Sequence, residues 1–164
     1  MSTTEVSGKP DTEKPATEGT AVADVLRLPH SPAAVALARH RVRGELAAVG
    51  LSRTLLDDIE VVVSELLGNA VRHARPIAGG ALLVGWRVEN DRVTLKVTDG
   101  GAPGSRPAPR SGDLLAEAGR GLRIVEGLTD QWGVVDHVGD LRTVWALLTS
   151  PARHPVAGSL RLRI

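Results

Sequence analysis

VVVSELLGNAVRHA, residues 61 to 74, decides how the rest of the chain is read. Its apolar residues recur at helical spacing, and at about 100° per residue Leu55, Ile59, Val62, Leu66 and Ala70 make one continuous face. Glu65, Asn69 and Arg72 fall in a stripe roughly 60° wide beside that face. A carboxylate and an amide thus stand at the border of a core, half withdrawn from water. Such a position suits holding a metal ion and polarising a hydroxyl or water, because loss of solvent strengthens both interactions. A plain solvated helix edge, with Glu65 paired to a neighbouring arginine, fits the same spacing, so the stripe alone leaves both readings open.

Working outward, Ser52 is placed to cap this helix, whose body runs from Arg53 to about His73 and is ended by Arg75-Pro76 and Gly79-Gly80. Upstream, ADVLRL at 23 to 28 reads as an edge strand, and Ser31-Pro32 opens a helix that reaches Gly50, with proline at its first helical position. Val35, Ala38, Val42, Leu46 and Val49 keep the helical period, leaving Arg39, Arg41 and Arg43 for solvent or a partner. Downstream, Leu82, Val84, Trp86 and Val88 alternate, as do Val93, Leu95 and Val97, which predicts a hairpin turning at Glu89 to Asp91. The stretch from Gly100 to Glu117 has no sustained period and is too long for a passive connector, so it is expected to be a lid or binding element. A third helix over 120 to 130 and a second hairpin, QWGVVDH with LRTVWALL, complete the order.

That order predicts an α/β (α+β) two-layer sandwich, with a mixed, mainly antiparallel sheet covered on one face by helices. It is not a βαβ repeat. No GxxxxGK[ST] motif occurs, and Gly119 and Gly121 lack the third glycine of a dinucleotide fingerprint.

Composition narrows the function classes. The chain of 164 residues suits one domain, expected over 23–150, between a polar leader at 1–22 and a tail at 151–164 with no assigned structure. There is no cysteine, which excludes disulfides, thiol nucleophiles and cysteine-ligated zinc. Twenty basic against nineteen acidic side chains leave a net charge of +1, without the basic excess expected for direct nucleic-acid binding. No signal sequence is evident and no apolar run approaches the roughly 20 residues needed to span a bilayer, so a soluble cytoplasmic protein is expected. With three Trp and neither Phe nor Tyr, Trp86, Trp132 and Trp145 are expected to fill the core.

Two later segments give the helix stripe its meaning. VTDGGAPG, residues 97 to 104, sets Asp99 at a strand end before a glycine-rich turn, and EAGRGLRIVEGLTD, residues 117 to 130, has Gly119 and Gly121 at a helix start. In this order the three segments resemble the asparagine box and two glycine boxes of the GHKL ATPases, the superfamily of gyrase and the sensor histidine kinases. SELLGNA is most similar to its anti-sigma-factor serine kinase branch. The resemblance covers roughly residues 25 to 148 and implies the Bergerat ATP-binding fold.

It further implies ATP and Mg²⁺ as cofactors, with Asn69 coordinating the Mg²⁺ and Glu65 orienting or deprotonating the attacking hydroxyl. The family's adenine-binding aspartate falls on Asp99. A carboxylate is an acceptor without a donor, which suits the exocyclic amine of adenine and repels the carbonyl of guanine; a turn-capping role before Gly100 is the alternative. Gly101 lets the backbone come close to the base. Gly119, Arg120 and Gly121 offer unpaired N–H groups at a helix N-terminus, where phosphate binds readily, unless they form a simple hinge. Thr143 matches the position of a hydroxyl that supports the adenine site, or is an ordinary strand threonine. Arg72 is within reach of a phosphate but is assigned to solvent or to Glu65, and His73 to packing on the apolar side. Ser64 faces away from the Glu65 stripe and has no base partner.

The first glycine box departs from Asp-x-Gly-x-Gly, since Pro103 stands where the second glycine belongs and Gly104 is shifted by one. Proline restrains the loop and removes a donor, which puts lid closure in doubt. Two functions from different classes remain. One is an ATP-dependent serine/threonine kinase acting on a protein antagonist and thereby on a sigma factor, with a homodimer allowed; the other is an ATP-loaded binding protein that sequesters its partner without phosphotransfer.

Overall fold

Each element follows from the local pattern that predicts it. The computed structural model describes residues 22–102 and 119–150. The leader, the loop carrying Pro103 and Gly104, and the tail after Ser150 lie outside the described residues.

In chain order the elements are β1 (Val22–Pro29), α1 (Ala33–Ala48), α2 (Arg53–His73), β2 (Ala81–Glu89), β3 (Arg92–Asp99), α3 (Arg120–Leu128), β4 (Gln131–Asp136) and β5 (Arg142–Thr149). The five strands lie in the order β1-β2-β3-β5-β4, and every pairing is antiparallel, the limiting case of the mainly antiparallel sheet expected. Asn90 and Asp91, both at positive φ (48° and 65°), turn β2 into β3 with the left-handed pair of residues that a tight hairpin needs.

Alternation along the strands sorts the sheet into two faces. Leu82, Val84, Trp86 and Val88 of β2, Val93, Leu95 and Val97 of β3, and Ala146 and Leu148 of β5 are buried beneath the helices. The predicted face of α2, from Leu55 to Ala70, is buried against them, and Ala34, Ala38, Val42 and Leu46 seat α1 beside it. Pro32 occupies the N-cap of α1, one position earlier than expected; Ala34 belongs to the buried stripe, and Val49, at the C-cap, is exposed. Ser52 caps α2 by accepting from the Leu55 N–H at 3.3 Å.

The α1 arginines are engaged rather than merely solvated. Arg39 pairs with Glu60 at 3.3 Å, Arg41 with Glu45 at 2.5 Å, and Arg43 with both Asp57 and Glu60. Such exposed pairs fix side chains more than they stabilise the fold. Of the tryptophans, Trp86 is in the core and Trp132 packs against it. Trp145 is instead on the opposite face of the sheet, where its indole covers Gly133 and would meet any Cβ there at 2.9 Å.

The C-terminal end of α2 is fixed from an unexpected direction. His30, just after β1, reaches through Nε2 to the carbonyls of Ala70 (3.2 Å) and Ala74 (2.9 Å). Carbonyls only accept, so Nε2 carries the proton. These bonds anchor the last turn of α2 and the chain beyond it. Replacing His30 by Ala should lower unfolding stability by about 1 to 3 kcal/mol, the range for a buried hydrogen bond left unmade, with α2 still formed. Urea melts of the two proteins check this, and equal midpoints would contradict the anchoring role.

Candidate functional site

The C-terminal half of α2, the start of α3 and the ends of β3, β4 and β5 enclose a cavity of about 230 Å³. Leu66, Ala70, Leu122, Val134 and Val144 supply apolar walls, and Asn69, His73, Asp99 and Arg142 the polar groups among them. A mainly apolar concavity with a few convergent polar groups is the usual form of a small-molecule site.

Asp99 ends β3 on the helix-facing side because it continues the alternation of Val93, Leu95 and Val97. It is 3% exposed. Oδ1 accepts the Gly101 N–H at 2.7 Å, so the turn-capping role foreseen as an alternative is present. It coexists with a place on the cavity floor. Burial pushes the Asp99 carboxyl above its ordinary range, opposed by the Gly101 hydrogen bond and the positive charges of Arg142 and His30. Among the described residues, none donates to the second carboxylate oxygen.

Gly100 and Gly101 are held by reciprocal backbone bonds, Gly100 N–H to Arg75 O at 2.8 Å and Arg75 N–H to Gly101 O at 2.9 Å. A Cβ on Gly100 would lie 2.5 Å from the Pro76 carbonyl oxygen. Gly101 has φ +70°, and its Cβ would lie 2.8 Å from the Asp140 carbonyl oxygen. The close backbone approach expected at Gly101 is therefore made to neighbouring protein chain, which fixes the turn beneath Asp99.

Glu65 and Asn69 stand one turn apart on α2, both half-buried, and face Gly121 of α3. A Cβ on Gly121 would lie 2.6 Å from Glu65 Oε2, 3.4 Å from Asn69 Oδ1 and 3.5 Å from Asn69 Nδ2. The missing side chain is what lets the first turn of α3 reach the carboxylate–amide pair. Among the described residues, Asn69 Nδ2 is buried without a hydrogen-bond partner. Gly119 (φ +68°) and Arg120 are exposed at the start of α3.

Two expectations are corrected, at His73 and Thr143. Arg72 is exposed, as its solvent reading has it; it donates from Nη2 to Asn69 Oδ1 at 3.1 Å, and its guanidinium lies over Gly68 rather than on Glu65. His73 is exposed at the cavity rather than packed in the core, because it falls at the last residue of α2 where the apolar face has ended. Thr143 is buried on the other side of the sheet, bonded to Thr98 Oγ1 (2.7 Å) and His137 Nε2 (2.9 Å), and does not reach the cavity. Ser64, as expected, takes no part; its hydroxyl donates to the Glu60 carbonyl at 2.7 Å.

The residue that sequence reading missed is Arg142. In LRTVWALL, Ala146 and Leu148 face the core, so the two-residue period puts Val144 and Arg142 on that face and Thr143 on the reverse. The register then sets Arg142 directly opposite Asp99.

The family of histidine kinase-like ATPase domains matches residues 28–147, a span that includes every residue lining the cavity. The chain belongs to that family. A serine-protein kinase RsbW of Staphylococcus epidermidis is 29% identical over 126 residues, 70% of this chain and 79% of its own length. One from Listeria innocua is 27% identical over 116 residues, 64% of this chain and 74% of its own length. Among solved structures, the RsbU and RsbW domains of a Mycobacterium tuberculosis protein superpose with a TM-score of 0.59 at 21% identity. That match covers 78% of this chain but 32% of the other, and the likeness is one of fold.

The raised Asp99 carboxyl has a thermodynamic consequence. The folded state holds this proton more tightly than the unfolded chain, so Asp99 erodes stability as pH rises from the ordinary carboxyl range through its raised value. Asp99→Asn keeps the acceptor for Gly101 and has no such dependence. Its stability advantage over wild type should grow across that window and stay constant above it, measured by denaturant melts from about pH 3 to 8. A pH-independent difference would contradict the burial cost.

Proposed function

We propose that this protein is an ATP-dependent serine/threonine kinase that phosphorylates a protein antagonist and so governs its own hold on a sigma factor. The observation that carries this reading is Gly121, which brings a helix N-terminus against the Glu65–Asn69 pair at the edge of a cavity floored by a buried carboxylate. The RsbW relatives, named serine-protein kinases, support the reaction class.

The residues present fit ATP with Mg²⁺. At about 230 Å³ the cavity is smaller than the usual ligand cleft of about 300 to 1,000 Å³, which suits a base seated on Asp99 with the phosphates extending toward Gly119 and Gly121. The orphaned Asn69 amide marks a position that a ligand would complete. Among the described residues no cluster of three or more His, Cys, Asp or Glu is placed to hold a metal. That suits Mg²⁺, which takes one or two protein ligands and completes its shell with phosphate and water.

When bound, ATP supplies the phosphoryl group and Mg²⁺ neutralises charge on it. Asp99 accepts a hydrogen bond from the exocyclic amine of the base through its unmatched oxygen. Backbone N–H groups at Gly119, Arg120 and Gly121 bind phosphate oxygens with the positive end of the α3 dipole. Asn69 would hold Mg²⁺ through Oδ1, the oxygen that also accepts from Arg72, while its unpartnered Nδ2 is a donor suited to a phosphate oxygen. Glu65 orients the acceptor hydroxyl and takes its proton at a carboxylate oxygen as the new phosphate ester forms and ADP leaves.

The alternative, an ATP-loaded binder without transfer, rested on Pro103 and Gly104, outside the described residues. The described residues give it no separate support. Among them no helix is long and apolar enough to cross a membrane.

Glu65→Ala should retain Mg²⁺-ATP binding while phosphotransfer falls by about 10² to 10⁴, the usual contribution of a positioned base. Asn69→Ala should weaken the Mg²⁺-dependent part of binding as well. Labelled ATP and a candidate antagonist, with bound nucleotide and phosphoserine measured separately, distinguish these outcomes; wild-type protein that binds both yet never labels the antagonist would defeat the kinase reading. Gly121→Ala provides an independent check. Alanine favours the helix by up to about 1 kcal/mol over glycine, yet its Cβ displaces Glu65 Oε2. The expected product is a protein no less stable than wild type with transfer reduced at least about tenfold, as expected when a positioned base is displaced.

A further inference from the structure

We infer that Arg142 reads the nucleotide base, donating to one of the two ring nitrogens that flank the exocyclic amine of adenine. The inference rests on the proposed seating of that amine on Asp99.

Asp99, Arg142 and Asp136 are direct neighbours in register across β3, β5 and β4. Opposed residues of an antiparallel pair have Cβ atoms about 4.5 to 5.5 Å apart, so the three side chains form a row, acceptor, donor, acceptor, at the sheet end that floors the cavity. Arg142 is well buried for an arginine, its side chain 14% exposed, and it lines the cavity together with Asp99.

A buried arginine beside a buried aspartate invites a simpler account, in which the guanidinium only balances the carboxylate. The geometry points elsewhere. Arg142 turns away from Asp99 and engages Asp136, Nε to Oδ1 at 2.6 Å and Nη2 to Oδ2 at 3.3 Å. A two-point pair of this kind fixes the plane of the guanidinium. Nη1 remains outside it. Asp99 meanwhile has Oδ1 occupied by Gly101 and Oδ2 unmatched among the described residues. An oriented donor and a free acceptor therefore stand side by side without closing on each other.

Adenine offers the complementary edge, an amine donor with an acceptor ring nitrogen on either side, N1 and N7. Asp99 alone accepts any amine. Asp99 with Arg142 requires donor and acceptor in adjacent positions, a two-point reading that an amine lacking a neighbouring acceptor fails.

The test is calorimetric titration of the full chain, in Mg²⁺, with ATP, 1-deaza-ATP and 7-deaza-ATP, in which one ring nitrogen at a time is replaced by carbon. Wild type should bind one of the two analogues about ten- to a hundredfold more weakly than ATP, the loss expected when a charged donor goes unmatched. Arg142→Met should bind ATP and that analogue within about twofold of each other, whatever its absolute affinity. Should the lone change unfold the protein, the Asp136→Asn, Arg142→Met double variant removes both charges of the pair and serves the same comparison. Equal binding of all three nucleotides by wild type, or a variant that keeps the wild-type preference, would overturn the inference while leaving ATP binding intact. Failure of wild type to bind ATP at all would instead remove the nucleotide reading on which it stands.

Discussion

Everything in the site depends on the rotational setting of α2 on the sheet. Leu55, Ile59, Val62, Val63, Leu66 and Leu67 are buried along its length, and each such side chain contributes about 1.5 to 3 kcal/mol on leaving water. Turning the helix by one residue, about 100°, would withdraw most of that stripe from the core. The apolar face therefore fixes the azimuth of Glu65 and Asn69 without any polar contact being needed to hold them. Both α1 and α3 pack against this helix, so the approach of Gly121 to Glu65 and Asn69 inherits its setting.

Against that apolar frame, the polar groups of the cavity are conspicuous for being only half satisfied. Asp99 is held by a single backbone hydrogen bond in a position that disfavours its charge, and Asn69 carries a buried amide nitrogen with no partner. Local choices in this chain otherwise agree with the fold: a capped α2, a left-handed hairpin turn, alternation along the strands. The Trp86 indole nitrogen, buried in the core, is likewise without a partner among the described residues, but only in the cavity do two such half-satisfied groups, Asp99 and Asn69, stand together.

How much of this could be read beforehand varies with the kind of signal. The helix face, the Ser52 cap and the two hairpins were legible because periodicity and capping are local. The adjacency of Glu65 and Asn69 was legible for the same reason, whereas their meeting with Gly121 required two segments some fifty residues apart and came only through the family resemblance. Thr143 shows the limit of motif reading. A hydroxyl in about the right place in sequence lies on the wrong face of the sheet, since one step along a strand reverses the side chain. The burial of Ala146 and Leu148 decides the parity, and composition cannot tell that Trp145, equally apolar, belongs to the other face. Arg142 was hidden by the same slip. His30 was illegible for another reason, because its partners on α2 are some forty residues away and no spacing rule connects them.

The placing of the tryptophans gives the chain an unusual optical character. With neither Tyr nor Phe, near-ultraviolet absorption and emission come from three indoles alone. Trp86 and Trp132 report the helix-covered side, while Trp145 lies across Gly133 on the reverse, beside Lys96 and His137. No indole lines the Asp99 cavity. A partner settling on the open side of the sheet would thus alter the emission of Trp145 directly, whereas a ligand in the cavity reaches an indole only by moving the protein around it. Single replacements of Trp86 and Trp132 would leave a chain whose fluorescence watches one face.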